Sequence, residues 1–389
     1  NGDAQKMMPG YNPEINLDTD QADYLLENLL KAKKPVILAG GGVISCDASA
    51  ELYRFVKNLN IPTALTFMGT GAIPHDDGLF LGMPGMHPTI HANYVLRHAD
   101  FILSIGARFD DRVVMKRFGK EANIAHVDID SAEINKVMRT AYPLHADAKQ
   151  FLEYANKKIE LRSGNNRDWH NQIKTWKKHH EEKLNKRHEM RGAVKGTYII
   201  EELSKITKGN ASIVTGVGQH QMWAVMNYNF QHPRSWVSSG GLGTMGYGLP
   251  AAIGAYFANP GRQVILIDGD GSFQMNMQEL ATVVENNIPL KMFILNNGHL
   301  GMVTQWENRF FNGYHEETHL NRHIPNFTNL DKVYPGLKTK TIYSNEEASM
   351  VIEKALSDDS PYLVNVMIGD HDEVLPMTPP GKGLEDMLF

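Results

Sequence analysis

Cysteine is all but missing from this chain: Cys46 is the only one in 389 residues. That excludes a disulfide framework and a thiolate zinc site, and it points to a reducing compartment. Long apolar runs are missing too, since none reaches the roughly 18–20 residues that span a bilayer. There is no basic excess. The net charge of −5 gives no bulk attraction to nucleic acid or to an anionic membrane. Short-period repeats and low-complexity tracts are absent. The opening "NGDAQKMMPGYNP" has neither a signal-peptide pattern nor an initiator Met, so it reads as a chain entered partway, behind an earlier segment.

What is present is glycine and alternation. The 34 glycines and the apolar fraction of 42% fit a globular α/β protein. At about 150 residues per domain the length predicts two or three domains, and either half is long enough to bury its own core. In the first half "PVILAGG" (35–41), "TALTFM" (63–68), "FILSIGA" (101–107) and "IAHVDID" (124–130) read as strands. Helical patterns cover 19–33, 46–60 and 87–99. The second half repeats the scheme with "SIVTGVG" (212–218), "VILIDGD" (264–270), "LKMFILNN" (290–297) and "YLVNVMI" (362–368). Its helices fall near 197–207, 248–258, 276–286 and 346–357. Continuous rather than alternating apolar runs predict strands covered on both faces, hence parallel sheets. The expected fold is α/β: two Rossmann-like three-layer domains, over 1–162 and 196–389. Between them, 163–195 is charged and rich in His and Lys, which predicts a linker and an exposed helix. A nucleic-acid patch is the weaker alternative there, because glutamates are interspersed.

The stretch from 264 to 301 reads as one βαβ unit. Its two strands point the same way, so the loops "GDGS" and "NNGHLG" emerge at the sheet edge where open α/β sheets bind ligands. Glycines let the backbone come close, and free N–H groups at the turn can face an anion. Asp270 and Asn297 are hard oxygen ligands that, with a carbonyl and phosphate oxygens, could complete the shell of Mg²⁺. Each loop alone would pass as an ordinary turn, with Asp capping a helix and Asn in left-handed geometry. The pair within one unit points instead to a magnesium-bridged diphosphate.

A GDG, a spacer of under thirty residues and a closing NN resemble the thiamine diphosphate signature. The resemblance implies Mg²⁺ on Asp270, Asn297 and the backbone oxygen of His299, with Gly271 and Ser272 against the diphosphate. "GVGQH" (216–220) then reads as a second phosphate-facing loop, with Val217, Gly218, Gln219 and His220 at the cofactor. Gly243, Leu300, Gly301 and Met302 are expected beside it. In "GGLGTMGYGLPAAIGA" (240–255) Met245 matches the residue that wedges this cofactor into a bent shape. As a lone methionine, without the flanking motifs, it reads first as core filler.

The series "AGGG" (39–42), "TFMGTGAIPHDD" (66–77), "GMPGMHPTIHANY" (82–94), "GARFDDR" (106–112) and "HVDIDSAEI" (126–134) is similar to the acetohydroxyacid synthases, also called acetolactate synthases, of the FAD-dependent biosynthetic type. The similarity continues through "NNGHLGMVTQWE" (296–307) and "EVLPMTPPG" (373–381). It implies FAD on Gly41, Gly42, Thr66, Phe67, Met68 and Gly85, and on His87, Gly106, Arg108, Asp110, Asp128 and Asp147. From the residues alone, Asp128 at a strand end suits a ribose hydroxyl. Yet no GxGxxG is present, and an α/β domain with an empty cleft stays open. The resemblance gives Arg112 the carboxylate of the second 2-keto acid, a job a guanidinium fork suits. A salt bridge to Asp110 or Asp111 is the other reading. Trp306 and Met86 match the wall that favours 2-ketobutyrate over pyruvate; Trp306 could equally be an interface aromatic.

The implied reaction is condensation of two 2-keto acids with loss of CO₂, feeding branched-chain amino acid biosynthesis. The implied assembly is a homodimer or homotetramer with a small regulatory subunit. A bacterial cytoplasm is the expected compartment, with an organelle left open. In this family a glutamate of an N-terminal domain activates the cofactor, and no Glu here matches it. The chain is therefore expected to be part of a longer enzyme and to turn over little by itself. Other readings are a pyruvate oxidase, a glyoxylate carboligase, or a cofactor-binding module without catalysis.

Overall fold

The computed structural model describes residues 15–159, 166–185, 194–320, 324–370 and 372–389. The opening stretch 1–14 and parts of the expected linker, 160–165 and 186–193, lie outside them. The first sheet holds β1 (Pro35–Ala39), β2 (Thr63–Leu65), β3 (Phe80–Gly82), β4 (Phe101–Ile105), β5 (Asn123–Asp128) and β6 (Tyr142–His145). The second holds β7 (Ser212–Thr215), β8 (Trp236–Val237), β9 (Val264–Gly269), β10 (Lys291–Asn296), β11 (Lys338–Ile342) and β12 (Tyr362–Met367). Every pairing is parallel. The central strands β1, β4 and β10 are buried along their full length. Both faces of each sheet are covered, as unbroken apolar runs require.

The helices are α1 (Thr19–Leu29), α2 (Gly41–Ser45), α3 (Ser49–Leu59), α4 (Ile90–His98), α5 (Ala148–Lys158), α6 (Arg167–Asn185) and α7 (Gly196–Thr207). They continue with α8 (Gln219–Asn227), α9 (Gly248–Ala258), α10 (Asp270–Gln274), α11 (Leu280–Glu285), α12 (Gly301–Phe310) and α13 (Asn345–Ser357). The order of the first sheet is β3-β2-β1-β4-β5-β6, and that of the second is β11-β12-β10-β9-β7-β8. Strand order reverses between β1 and β4 in one and between β7 and β9 in the other. A crevice opens at the carboxyl ends of such strands.

Three local expectations are corrected. The expected strand 63–68 ends at Leu65, and Phe67–Gly69 is a 3-10 turn. The "AGGG" loop turns at once into the short helix α2. The helix in the charged stretch is not simply exposed. Trp169 and Ile173 on α6 are buried against the first domain, and the Trp169 indole donates to the Pro35 carbonyl at 3.1 Å. An amphipathic face there was masked by the density of His and Lys around it.

The two domains share a seam. His75 stacks on Phe80 at 4.1 Å, meets Phe230 edge-on at 5.3 Å, and donates its backbone N–H to the Phe230 carbonyl. After β12 the tail 373–389 crosses back to the first domain. Lys116 donates its N–H to Lys382 O, and Leu384 donates to Lys116 O.

Candidate functional site

The two crevices open into one cleft of 1080 Å³ between the domains. Of all the site residues expected from the sequence, only Gly85 fails to line it. Residues more than two hundred positions apart, such as Gly41 and Met302, thus share one space.

In the second domain the strand β9 delivers Asp270 and the strand β10 delivers Asn297. Gly298 donates its N–H to Asp270 Oδ2 at 2.8 Å, and Gly271 donates to Oδ1 at 2.9 Å. The two loops are therefore tied directly through this carboxylate. The left-handed residue is Gly298, at φ 70°, and not Asn297. Asn297 keeps its Oδ1 toward the His299 N–H at 3.1 Å and donates to Gln219 Oε1 at 3.4 Å. Gly269, not Asp270, stands at the cap position of α10. Burial pushes the Asp270 carboxyl up to about 6, although the Gly271 and Gly298 amides pull the other way. A carboxylate buried at such cost is stabilised by a cation. Among the described residues no group of three or more His, Cys, Asp or Glu forms a metal cluster. One carboxylate, one amide oxygen and backbone carbonyls are what Mg²⁺ takes when phosphates supply the rest.

Around this pair the loops are braced. Ser272 Oγ accepts from the Val217 N–H at 3.4 Å and from the Gly246 N–H at 3.2 Å, joining three glycine-rich turns. Met245 reaches toward Gly271: a Cβ added there would sit 3.7 Å from its Cε. Residues that sequence reasoning missed carry much of the support. Asp268 is fully buried, and its Oδ1 stands 3.3 Å from His220 Nε2, near enough for charge contact but not aligned as a hydrogen bond. Among the described residues its Oδ2 has no hydrogen-bond partner. The "IDGD" spacing carried this signal, since Asp268 lies on β9 two residues before Asp270, which opens α10. Gln305 carried no local signal. It takes a hydrogen bond from Gln219 at 3.1 Å and exchanges two with the Val374 backbone.

In the first domain the crevice is lined by backbone. Gly42 donates to Gly106 O at 2.9 Å, and a Cβ on Gly42 would come within 2.7 Å of Gly106 Cα. Gly106 itself sits at φ 57°. Close strand-loop approach of this kind leaves room for a nucleotide. Asp128 ends β5. Burial raises its carboxyl, but His126 and the Asp130 and Ile129 amides outweigh it and hold it below the ordinary value. Asp147 caps α5 through the Lys149 and Gln150 N–H groups. Asp110 Oδ1 accepts from the Arg112 and Val113 N–H groups, shaping the "RFDDR" turn. Among the described residues Arg112 makes no ion pair with Asp110 or Asp111, so its guanidinium is exposed to the cleft. His87 lies near it, pushed to about 4 by burial and by the Arg112 charge. Trp306 on α12 lies half-buried on the opposite wall, 5.1 Å from the Phe310 ring.

The sequence of each domain matches a known family. Residues 216–366 match the thiamine pyrophosphate enzyme C-terminal TPP binding domain, and residues 22–154 match the thiamine pyrophosphate enzyme central domain. The chain belongs to the thiamine pyrophosphate enzymes. Within that family, relatives of this chain carry the name acetolactate synthase. It is 41% identical to acetolactate synthase 1, chloroplastic, of Zea mays, over 100% of this chain and 62% of the relative. It is 40% identical to the Arabidopsis thaliana chloroplastic enzyme, over 100% of this chain and 59% of the relative. It is also 40% identical to the acetolactate synthase large subunit of Buchnera aphidicola, over 97% of this chain and 66% of the relative. The chain thus spans about 60% of the length of the first two relatives. Among the described residues no helix is long and apolar enough to cross a membrane.

Proposed function

We propose that this chain holds thiamine diphosphate through Mg²⁺ in the second crevice and FAD in the first, and that it serves an enzyme condensing two 2-keto acids with loss of CO₂. Pyruvate alone would give 2-acetolactate; pyruvate with 2-ketobutyrate would give 2-aceto-2-hydroxybutyrate. The reading rests chiefly on one observation: the Asp270 carboxylate, raised by burial, ties the GDG and NN loops together at the switch point of the second sheet.

Asp270, Asn297 and the His299 carbonyl would hold the metal, with Gln219, His220 and the 271–272 backbone at the diphosphate. Bound there, thiamine diphosphate supplies the electron sink that makes loss of CO₂ feasible. The chain's own residues bind and orient. Arg112 offers two parallel N–H donors to a keto-acid carboxylate. Trp306, Met86 and the apolar lip at Met302 bound the pocket and keep water from the reacting carbons. The first crevice takes FAD by glycine-lined backbone and by Asp128 at a ribose hydroxyl. The flavin has no net redox task here.

Arg112→Lys keeps the charge and loses the fork. Its keto-acid affinity should fall about tenfold, the worth of roughly one charge-assisted hydrogen bond. Product analysis after feeding pyruvate with and without 2-ketobutyrate tests the whole reading. Acetyl phosphate in place of an acetohydroxy acid would overturn it, whereas low turnover by the isolated chain would not, because the glutamate that activates the cofactor is expected outside it. A homodimer or homotetramer with a small regulatory subunit is the assembly we propose. Light scattering and co-purification of a second chain check it. The compartment, cytoplasm or organelle, we propose to be a reducing one, given the single thiol.

A further inference from the structure

The geometry points to Asn93 as the positioning residue for the keto-acid wall, and this rests on the reading of Arg112 and Met86 given above. Asn93 sits on α4, is 0% exposed, and does not line the cleft. A buried amide that faces no ligand must be satisfied within the protein. Its Oδ1 accepts the Gly85 N–H at 2.7 Å. Its Nδ2 donates to Gly85 O at 3.1 Å, to Leu384 O at 3.1 Å and to Thr378 Oγ1 at 3.3 Å. The amide can face only one way, since the Gly85 N–H needs an acceptor and two carbonyls need a donor.

These bonds propagate. Gly85, at φ 106°, presses so closely on the Arg112 backbone that an added Cβ would lie 2.0 Å from Arg112 O. The next residue, Met86, donates its N–H to Arg112 O at 2.8 Å and accepts from the Thr378 N–H at 2.8 Å. Arg112 N–H in turn goes to Asp110 at 3.0 Å. One buried side chain therefore fixes the Gly85 loop, the backbone beneath Arg112 and Met86, and the returning tail. This also explains why Gly85 alone faces away from the cleft: it is the contact through which α4 sets the wall. Hydrogen bonds of this kind hold a binding group within the few tenths of an ångström that orientation demands.

The test compares the parent with Asn93→Asp, which keeps the shape but sets a carboxylate against the Gly85 and Leu384 carbonyls, and with the milder Thr378→Val. Backbone hydrogen exchange is followed along the full chain, with pyruvate titrated in. We expect faster exchange at 84–88 and 110–114 in both variants, with 216–220 and 269–272 unchanged. The pyruvate concentration that gives half of the protection at 110–114 should rise about tenfold in Asn93→Asp, the effect of a hydrogen bond or two. Unchanged exchange at 84–88 and 110–114 in both variants overturns the inference. So does acceleration spread evenly over both domains, which marks a merely structural asparagine. If the parent gains no protection from pyruvate at 110–114, the substrate reading of Arg112 fails. The exchange pattern of the two variants then still decides whether Asn93 positions the loops.

Discussion

Two aspartates stand at the carboxyl ends of parallel strands, Asp128 at the end of β5 in the first sheet and Asp270 just beyond β9 in the second, and the protein treats them oppositely. Asp128 is compensated from within: His126 Nε2 lies 3.5 Å away, and the Asp130 N–H donates to it at 2.9 Å. Its carboxyl stays below the ordinary value. Asp270 receives two backbone N–H groups, yet burial still pushes it up to about 6. On the proposed function, the first would be a finished acceptor for a neutral hydroxyl, and the second an unfinished site that a cation would complete. Two domains of one architecture thus divide the work by how they solvate a single carboxylate.

The largest effect should come from removing the unfinished charge. Asp270→Asn is expected to weaken magnesium-dependent thiamine diphosphate binding more than about 100-fold, since even partners behind metal ligands cost 10–100-fold. Titration calorimetry with Mg²⁺ present reads this. The same change should stabilise the metal-free protein at pH 8. The folded carboxyl is raised from 3.8 to about 6, so above that range its ionised form opposes folding. A gain on the order of 1–2 kcal/mol in urea unfolding is expected, discounting the full shift because an amide cannot accept both N–H groups. A loss of metal-free stability would break the contrast.

The seam between the domains supplies the next effect, in acid. Burial pushes His75 down to about 3, against a weaker opposing bond from the Tyr228 backbone, and its Nε2 is shut off from solvent. The folded value lies below the unfolded one of 6.5, so the unfolded chain takes up the proton first. Stability is then whole above pH 6.5 and lost as pH falls, by about 2 kcal/mol at pH 5. His75→Leu should flatten that slope relative to the parent, as read from urea midpoints at pH 8 and 5. His87, pushed to about 4, should leave a residual slope in both proteins.

A smaller effect tests the first crevice. Gly106→Ala forces a side chain into φ 57° and within 2.8 Å of Gly42 Cα. A cost of roughly 1–2 kcal/mol should fall on the nucleotide crevice, seen as less flavin absorbance per protein, while thiamine diphosphate binding holds.

How much of this could be read beforehand depends on whether a signal is local. The central strands announced themselves, because burial on both faces demands unbroken apolar runs. The edge strands β3, β6, β8 and β11 did not: they are short or polar, as in "YPLH" and "KTKTI". The glycine-rich loops were visible because each follows such a run, and the cleft gathers them. The braces were not visible. Gln305 finds Val374 across 69 positions, and Asn93 finds Thr378 across 285. Nothing within a helical turn of either residue reports those partners. Asp268 lay in plain view, but its role depends on His220, which arrives on another strand-loop junction.

The smallest predicted effect is the most discriminating, because it reverses the sign of the first. Asp128→Asn removes a charge that the fold already compensates, so the flavin-free protein should lose stability where Asp270→Asn gains it. The His126 contact at 3.5 Å weakens, and the Asp130 N–H keeps only a neutral acceptor. Exchanging a charged for a neutral acceptor costs about 1 kcal/mol, which is roughly fivefold in FAD affinity if the ribose hydroxyl donates there. Flavin fluorescence during dilution reads that affinity, and magnesium-dependent thiamine diphosphate binding serves as the control. Equal stability changes in the two variants would mean that both carboxylates are solvated alike and that burial at Asp270 does not demand a cation. Opposite signs, with each variant losing only its own ligand, would fix the division of labour between the two crevices at the level of single atoms.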